Sequence, residues 1–197
     1  MNMGSAVREK LVVAAADLLW RGGVRALSVR SLAKHAGAPL GSTYHYFPGG
    51  RQQLLAEAIA FSDRHVRGQL HAALADGVAG SWERMVETWR RLMQAEKFSV
   101  GCPVIAVIAG NEGEEHVVAA GRIIEGWVGI WSDALAAAGV AAGEAAALSA
   151  LAISSLQGAI LQCRARADTT ALDQTETLVG SLFEQALRHV AIGQPAA

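Results

Sequence analysis

The chain has 197 residues, 52% of them hydrophobic and 18% charged, with only four prolines; it is too apolar for a disordered chain, long enough to bury a core, and rich in the alanine and leucine that favour helix. A formal net charge of −1 hides an asymmetry, because residues 1–67 hold nine Lys/Arg against four Asp/Glu and the remainder eight against fourteen. A basic end on an acidic body suits an oriented encounter with a polyanion, although an ordinary charge fluctuation would look the same.

Arg8, Glu9, Lys10 and Asp17 interrupt any apolar leader, so the expectation is a cytoplasmic chain with Cys102 and Cys163 as free thiols. The same segment forms a first helix over roughly Ala6 to Arg21, since Val7, Leu11, Ala14, Ala15, Leu18 and Leu19 recur at helical spacing. Gly22-Gly23 stops it. Ser28 is placed to cap a second helix whose inner face is Val29, Leu32, Ala33 and Ala36. Gly37-Ala38-Pro39 makes a tight turn, and a third helix follows over Leu40 to Tyr46. After Phe47-Pro48-Gly49-Gly50, a long fourth helix spans about Arg51 to Ala75, with Leu54, Leu55, Ala58, Ile59, Val66 and Leu70 inward. Further helices are expected near 81–97, 103–112, 115–138, 143–166 and 171–191, which makes about nine in an all-α chain with no alternating strands. The apolar run Ala134 to Ile160 is alanine- and glycine-rich and carries Glu144, so it reads as a buried helix pair and not as a membrane span.

Two short helices around a glycine-containing turn suit DNA: the first braces, and the second is thin enough to enter a major groove about 12 Å wide. The stretch 39–46, PLGSTYHY, is small and polar at its start. Ser42 and Thr43 offer hydroxyls, Tyr44 and His45 longer donors, and Leu40 an apolar contact for a thymine methyl. Tyr46 and Phe47 need a core to pack on, so an exposed face between such anchors, bordered by Arg30, Lys34 and Arg51, calls for a ligand. The division that follows is a helix-turn-helix domain over 1–50 and a ligand-binding and dimerisation domain over 51–197, joined by the fourth helix.

These residues carry a resemblance. Segment 8–59 resembles the DNA-binding domain of the TetR family: Gly22-Gly23-Val24, then Leu27-Ser28-Val29-Arg30-Ser31-Leu32-Ala33, Ala36-Gly37-Ala38, Gly41-Ser42-Thr43-Tyr44-His45-Tyr46-Phe47, and a basic residue ahead of Leu54-Leu55. The resemblance implies that Tyr44 and His45 contact the sugar-phosphate backbone and that Leu40, Ser42 and Thr43 face bases. It also implies that Arg51 holds a phosphate at the start of the fourth helix, where an arginine beside free amides makes an anion site in any case. The DNA face is thus expected to comprise Ser28, Arg30, Pro39, Leu40, Gly41, Ser42, Thr43, Tyr44, His45 and Arg51. Gly49-Gly50 departs from the family's usual single polar capping residue, and base preference does not carry over through Pro39.

Beyond residue 60 the resemblance narrows. Gly101-Cys102-Pro103-Val104 and Gln157-Gly158-Ala159-Ile160-Leu161 through Arg164-Ala165-Arg166 resemble the LmrA/YxaF-like subgroup. That group includes repressors of drug-efflux and flavonoid-responsive genes, which implies an aromatic or lipophilic effector. Trp127 and Trp131, four apart, share one helix face, and Trp82 and Trp89, seven apart, share another. Aromatic and thioether walls suit an apolar pocket, and they suit an ordinary core equally well. The residues expected around a ligand are Trp89, Met93, Cys102, Ile105, Trp127, Trp131 and Gln157, the last as one polar contact or as a satisfied core amide. Cys102 at a helix start can be an activated thiol or a small buried hydrophobe. The last two helices carry leucines and small residues. By resemblance, Leu148, Leu151, Ser155, Gly158, Leu178 and Leu182 belong to a homodimer interface that sets two recognition helices on an inverted-repeat operator.

No Cys/His spacing matches zinc, no nucleophile elbow is present, and no glycine loop cradles phosphate, so neither catalysis nor a cofactor is expected. Glu112, Glu114, Glu115 and His116 read as an exposed cluster favoured by a helix start, in preference to a metal site. A helical scaffold with a degenerate motif and an all-helical enzyme stay open as alternatives to a ligand-released repressor.

Overall fold

The computed structural model describes residues 3–193. Its elements are α1 (Met3–Gly22), a 3₁₀ turn (Val24–Ala26), α2 (Val29–His35), α3 (Leu40–Tyr46), α4 (Gly50–Leu74), α5 (Ser81–Ala95), α6 (Pro103–Gly110), α7 (Glu114–Ala137), α8 (Ala142–Arg166) and α9 (Thr170–Gly193). No strand occurs among the described residues, and the all-α expectation holds with nine α-helices among them.

Local chemistry accounts for where the elements begin and end. Ser28 caps α2: its hydroxyl accepts from the Ser31 N–H at 3.0 Å, and the Ser31 hydroxyl accepts from the Ser28 N–H at 2.9 Å. Such a cap contributes about 1 kcal/mol. Gly50 opens α4 at φ 61°, a left-handed conformation that a side chain resists. Gln53 then reaches back to accept from the Gly49 N–H at 3.0 Å, so a side chain one turn into the helix supplies the cap that Gly49-Gly50 lacks. Pro103 occupies the first turn of α6, where its missing N–H costs nothing. α5 ends two residues earlier than expected, at Ala95, because Lys97 and Phe98 both take positive φ.

The chain forms two compact units. One comprises the residues up to Val66 together with Val100–Ile123; the other comprises Arg67–Ser99 together with the residues from Ile124 onward. This differs from a division at residue 50, since α4 and α7 each pass through both units and α6 packs with the helix-turn-helix. In the first unit the core is Leu11, Val12, Ala15, Leu19, Leu27, Leu32, Phe47, Leu54, Leu55 and Val104. α6 lies against α1 and the 3₁₀ turn: the Gly101 N–H donates to the Trp20 carbonyl at 3.0 Å. A Cβ on Gly110 would stand 2.5 Å from Val24 Cγ2, so any side chain there would force Val24 to shift.

The second unit packs α5, α8 and α9 on one another around tryptophans. Trp82, Trp127 and Trp131 are fully buried, with Met85, Val86, Met93, Leu135, Ile160 and Leu172 among their company in the core. Trp82, Trp131 and Phe183 form a mutual cluster with ring centroids 5.5–6.1 Å apart and tilted or edge-on planes, the arrangement aromatic quadrupoles favour. Arg90 ties α5 to α9 by donating to Glu87, to Asp173 at 3.0 Å and to Glu176. Burial alone would lower the Arg90 pKa, but these carboxylates together raise it.

Candidate nucleic-acid interface

α2 and α3 pack together and leave one face of α3 open. Thr43 and Phe47 anchor α3, both fully buried. The expectation that Thr43 faces bases is corrected by this geometry. Its side chain points inward, and its hydroxyl donates to the Pro39 carbonyl at 3.0 Å, satisfying itself within its own helix. Ser28 likewise spends its hydroxyl on the α2 cap.

What α3 does expose is Leu40, Gly41, Ser42, Tyr44 and His45, preceded by Pro39, with Tyr44 53% and Leu40 39% exposed. Arg30 and Lys34 are exposed on α2. A Cβ built on Gly41 would meet nothing within 4 Å, so nothing inside this unit requires glycine there. An open groove of about 530 Å³ runs beside α3, lined by Val7, Leu11, Ala38, Pro39, Gly41, Ser42, His45 and Tyr46. His45 meets Tyr46 edge-on, with centroids 5.6 Å apart.

Arg51, expected to hold a phosphate, makes three hydrogen bonds within its own unit while its side chain stays 35% exposed. All three of its nitrogens are engaged: Nε donates to the Leu27 carbonyl at 3.0 Å, Nη2 to the Val24 carbonyl at 2.8 Å, and Nη1 to the Glu112 carboxylate. The hydrogen bond to Glu112 raises the Arg51 pKa, and the same bond holds the Glu112 carboxyl below its ordinary range. Next to it, the Gln52 side-chain oxygen lies 2.7 Å from His116 Nε2, and His116 is buried. The reading of residues 112–116 as a wholly exposed acidic cluster is corrected accordingly. Glu114 and Glu115 are exposed in the first turn of α7, whereas Glu112 and His116 turn inward to α4. No group of three His, Cys, Asp or Glu side chains fit for a metal occurs among the described residues.

The residues expected around a ligand fall in both units. Cys102, buried, and Ile105, partly buried, lie at and within α6 in the first. In the second, Trp89, Met93, Trp127, Trp131 and Gln157 are all buried. Among the described residues, three buried polar atoms there have no hydrogen-bond partner: Trp131 Nε1, Ser149 Oγ and Gln157 Oε1. Sequence reading singled out Trp131 and Gln157 but missed Ser149, which among so many alanines carried no signal, and Phe183, which joins the aromatic cluster from α9. Both cysteines are buried thiols, and burial pushes the Cys163 thiol pKa up.

Of the residues expected at a dimer interface, Leu151, Leu178 and Leu182 are exposed at 46%, 68% and 38%, and Leu161 joins them at 51%. Leu148, Ser155 and Gly158 are partly buried on α8. By length and composition α8 could cross a membrane, with 25 residues and a mean hydropathy of 1.4 over its most apolar window. Its inner face, however, is packed along α9.

A small, thin face on a short helix, held from behind by buried anchors and braced by a capped preceding helix, has the form of a helix-turn-helix unit. Residues 11–58 match the family described as bacterial regulatory proteins, tetR family, and residues 79–177 match the LmrA/YxaF-like transcriptional regulator C-terminal domain. The HTH-type transcriptional regulator Rv0196 of Mycobacterium tuberculosis is 36% identical over 173 residues, covering 84% of this chain and 88% of that one. LmrA of Bacillus subtilis, also an HTH-type regulator, is 23% identical over 184 residues, covering 90% and 97%. A TetR regulatory protein from Rhodobacter sphaeroides superposes with a TM-score of 0.80 at 22% identity, over 88% of this chain and 97% of that one. The chain belongs to the TetR family of transcriptional regulators, with a C-terminal domain of the LmrA/YxaF-like kind.

Proposed function

We propose that this regulator is a homodimeric repressor, released from an inverted-repeat operator by a small aromatic or lipophilic effector, acting in the cytoplasm where the chromosome lies and catalysing nothing itself. The observation that carries the reading is the exposed face of α3: Leu40, Gly41, Ser42, Tyr44 and His45 stand out over buried Thr43 and Phe47. Exposed leucines on α8 and α9 support a second copy as the partner, because a dimer would bury an apolar surface that water otherwise meets. A two-fold pair reads two half-sites about 34–36 Å apart, which one recognition helix alone does not hold firmly.

The tryptophan-rich second unit supports an aromatic or lipophilic effector. Trp131 Nε1–H is a donor and Gln157 Oε1 an acceptor, both buried without partners, and a buried polar group left so is costly unless something meets it. An effector that binds better to a conformer of lower operator affinity must weaken operator binding by the same factor.

The test begins with a duplex selected on the full-length dimer and challenges the complex with a panel of aromatic and lipophilic compounds. Release by a compound that also quenches tryptophan fluorescence is the expected result. A compound that saturates the fluorescence change and leaves operator affinity unaltered contradicts the switch.

A further inference from the structure

Arg51 and Glu112 stand 61 positions apart in sequence, yet their ion pair joins the first turn of α4 to the turn between α6 and α7. We propose that Arg51 serves operator binding as a positioning residue and not as a phosphate ligand, and that Glu112 is its required partner. The inference rests on the operator-binding reading above and adds to it an acidic residue, outside the helix-turn-helix, on which DNA affinity depends.

The geometry is that of a three-way tie. The two carbonyls that Arg51 holds belong to Val24, which opens the 3₁₀ turn, and Leu27, which follows it directly ahead of Ser28, the cap of α2. α2 in turn braces α3. A planar guanidinium can hold three acceptors in one plane, which a lysine ammonium cannot. The third acceptor, Glu112, fixes the rotation of that plane. Gly110 against Val24 and His116 on Gln52 reinforce the same junction, so α6 and the start of α7 back the platform that presents α3. With three of its five N–H donors committed inside the unit, one of them to a carboxylate that competes with phosphate, Arg51 is better placed to hold the junction than to serve as a full anion clamp.

The two roles differ in sign and in salt dependence. Duplex selected on the wild-type full chain is titrated against wild type, Glu112→Gln, Arg51→Lys and Tyr44→Ala across a range of salt, after circular dichroism and sedimentation confirm folded dimers. Glu112→Gln should weaken binding by roughly tenfold, the size of coupling that contacting residues show. Arg51→Lys should weaken it similarly, because it keeps the charge and loses the fork. Neither should change the slope of log affinity against log salt, whereas losing a phosphate contact lowers that slope by about one unit.

The proposal is overturned if Glu112→Gln binds as well as or better than wild type, which is what removing an acid near DNA does by simple electrostatics. It is equally overturned if Arg51→Lys keeps full affinity, since lysine serves a phosphate well. If Glu112→Gln does not fold, Arg51→Lys decides alone. Loss of binding in Tyr44→Ala with no loss in Glu112→Gln removes this inference and leaves the operator reading standing. A wild-type dimer that selects no duplex removes both.

Discussion

α3 exposes Ser42, Tyr44 and His45 beside Leu40, and the one polar group it buries, the Thr43 hydroxyl, is bonded to the Pro39 carbonyl, whereas the second unit leaves buried polar atoms without such a bond. There leucines such as Leu178 face outward, and polar atoms of Trp131, Ser149 and Gln157 are buried without partners. An exposed polar face on a rigid support costs the fold little and is available to a charged, hydrated partner. Buried unpartnered polar atoms do cost the fold, and a hydrogen-bonding ligand or an ordered water would recover that cost, as burial of the exposed leucines would recover theirs. The contrast is what the proposed function draws on: nucleic acid at the first unit, a second copy and a small effector at the other.

The largest effect that would sharpen this contrast is expected at Trp131. Replacement by alanine opens a cavity beside Trp82 and Phe183 and should cost about 3–5 kcal/mol in urea unfolding. Much smaller loss would mean that the aromatic cluster already encloses empty space. Next is Leu178→Glu. At a dimer interface each protomer would bury an unpaired carboxylate, so the dimer dissociation constant should rise by roughly a hundredfold, read by analytical ultracentrifugation. No shift would free that leucine from the interface.

Gly41→Ala should split stability from binding. A helical glycine costs up to about 1 kcal/mol relative to alanine, and the added methyl meets nothing in this chain, so the melting temperature should rise. Duplex affinity should fall by about tenfold, the cost of forcing one methyl into a packed contact. A variant that gains stability and keeps its affinity would take Gly41 off the DNA face.

The smallest effect concerns pH. Arg51 holds the folded-state pKa of Glu112 below its usual 4.5, so the carboxylate's contribution to stability is present above that value. It is lost only as pH falls through the lower folded value. Glu112→Gln should therefore flatten the acid limb of the stability profile and leave its slope between about pH 6 and 8 unchanged.

Much of this was legible in the sequence for reasons that are local. Ser28 ahead of Val29, Pro39 ahead of Leu40 and Pro103 at the start of α6 each act within one helical turn, and helix boundaries followed from them to within a few residues. Thr43 was misplaced for an equally local reason: a hydroxyl four residues after Pro39 can turn back to that carbonyl or face outward, and the sequence is the same either way. Arg51 and Glu112 read as separate features in the sequence, because no periodicity links residues so far apart, and their pairing exists only once α6 is docked. The grouping of α6 with the helix-turn-helix is not written locally either, because it runs through Gly101 and Gly110 and through no pattern in the chain.

The most direct test of the central claim is selection of bound duplex DNA from a random pool by the full-length dimer, run in parallel with Tyr44→Ala. An inverted repeat enriched by the wild type and lost with Tyr44→Ala, itself folded and dimeric, is the predicted result. A folded dimer that enriches no sequence, or a Tyr44→Ala protein that enriches the same one equally well, would contradict the placement of DNA on the exposed face of α3.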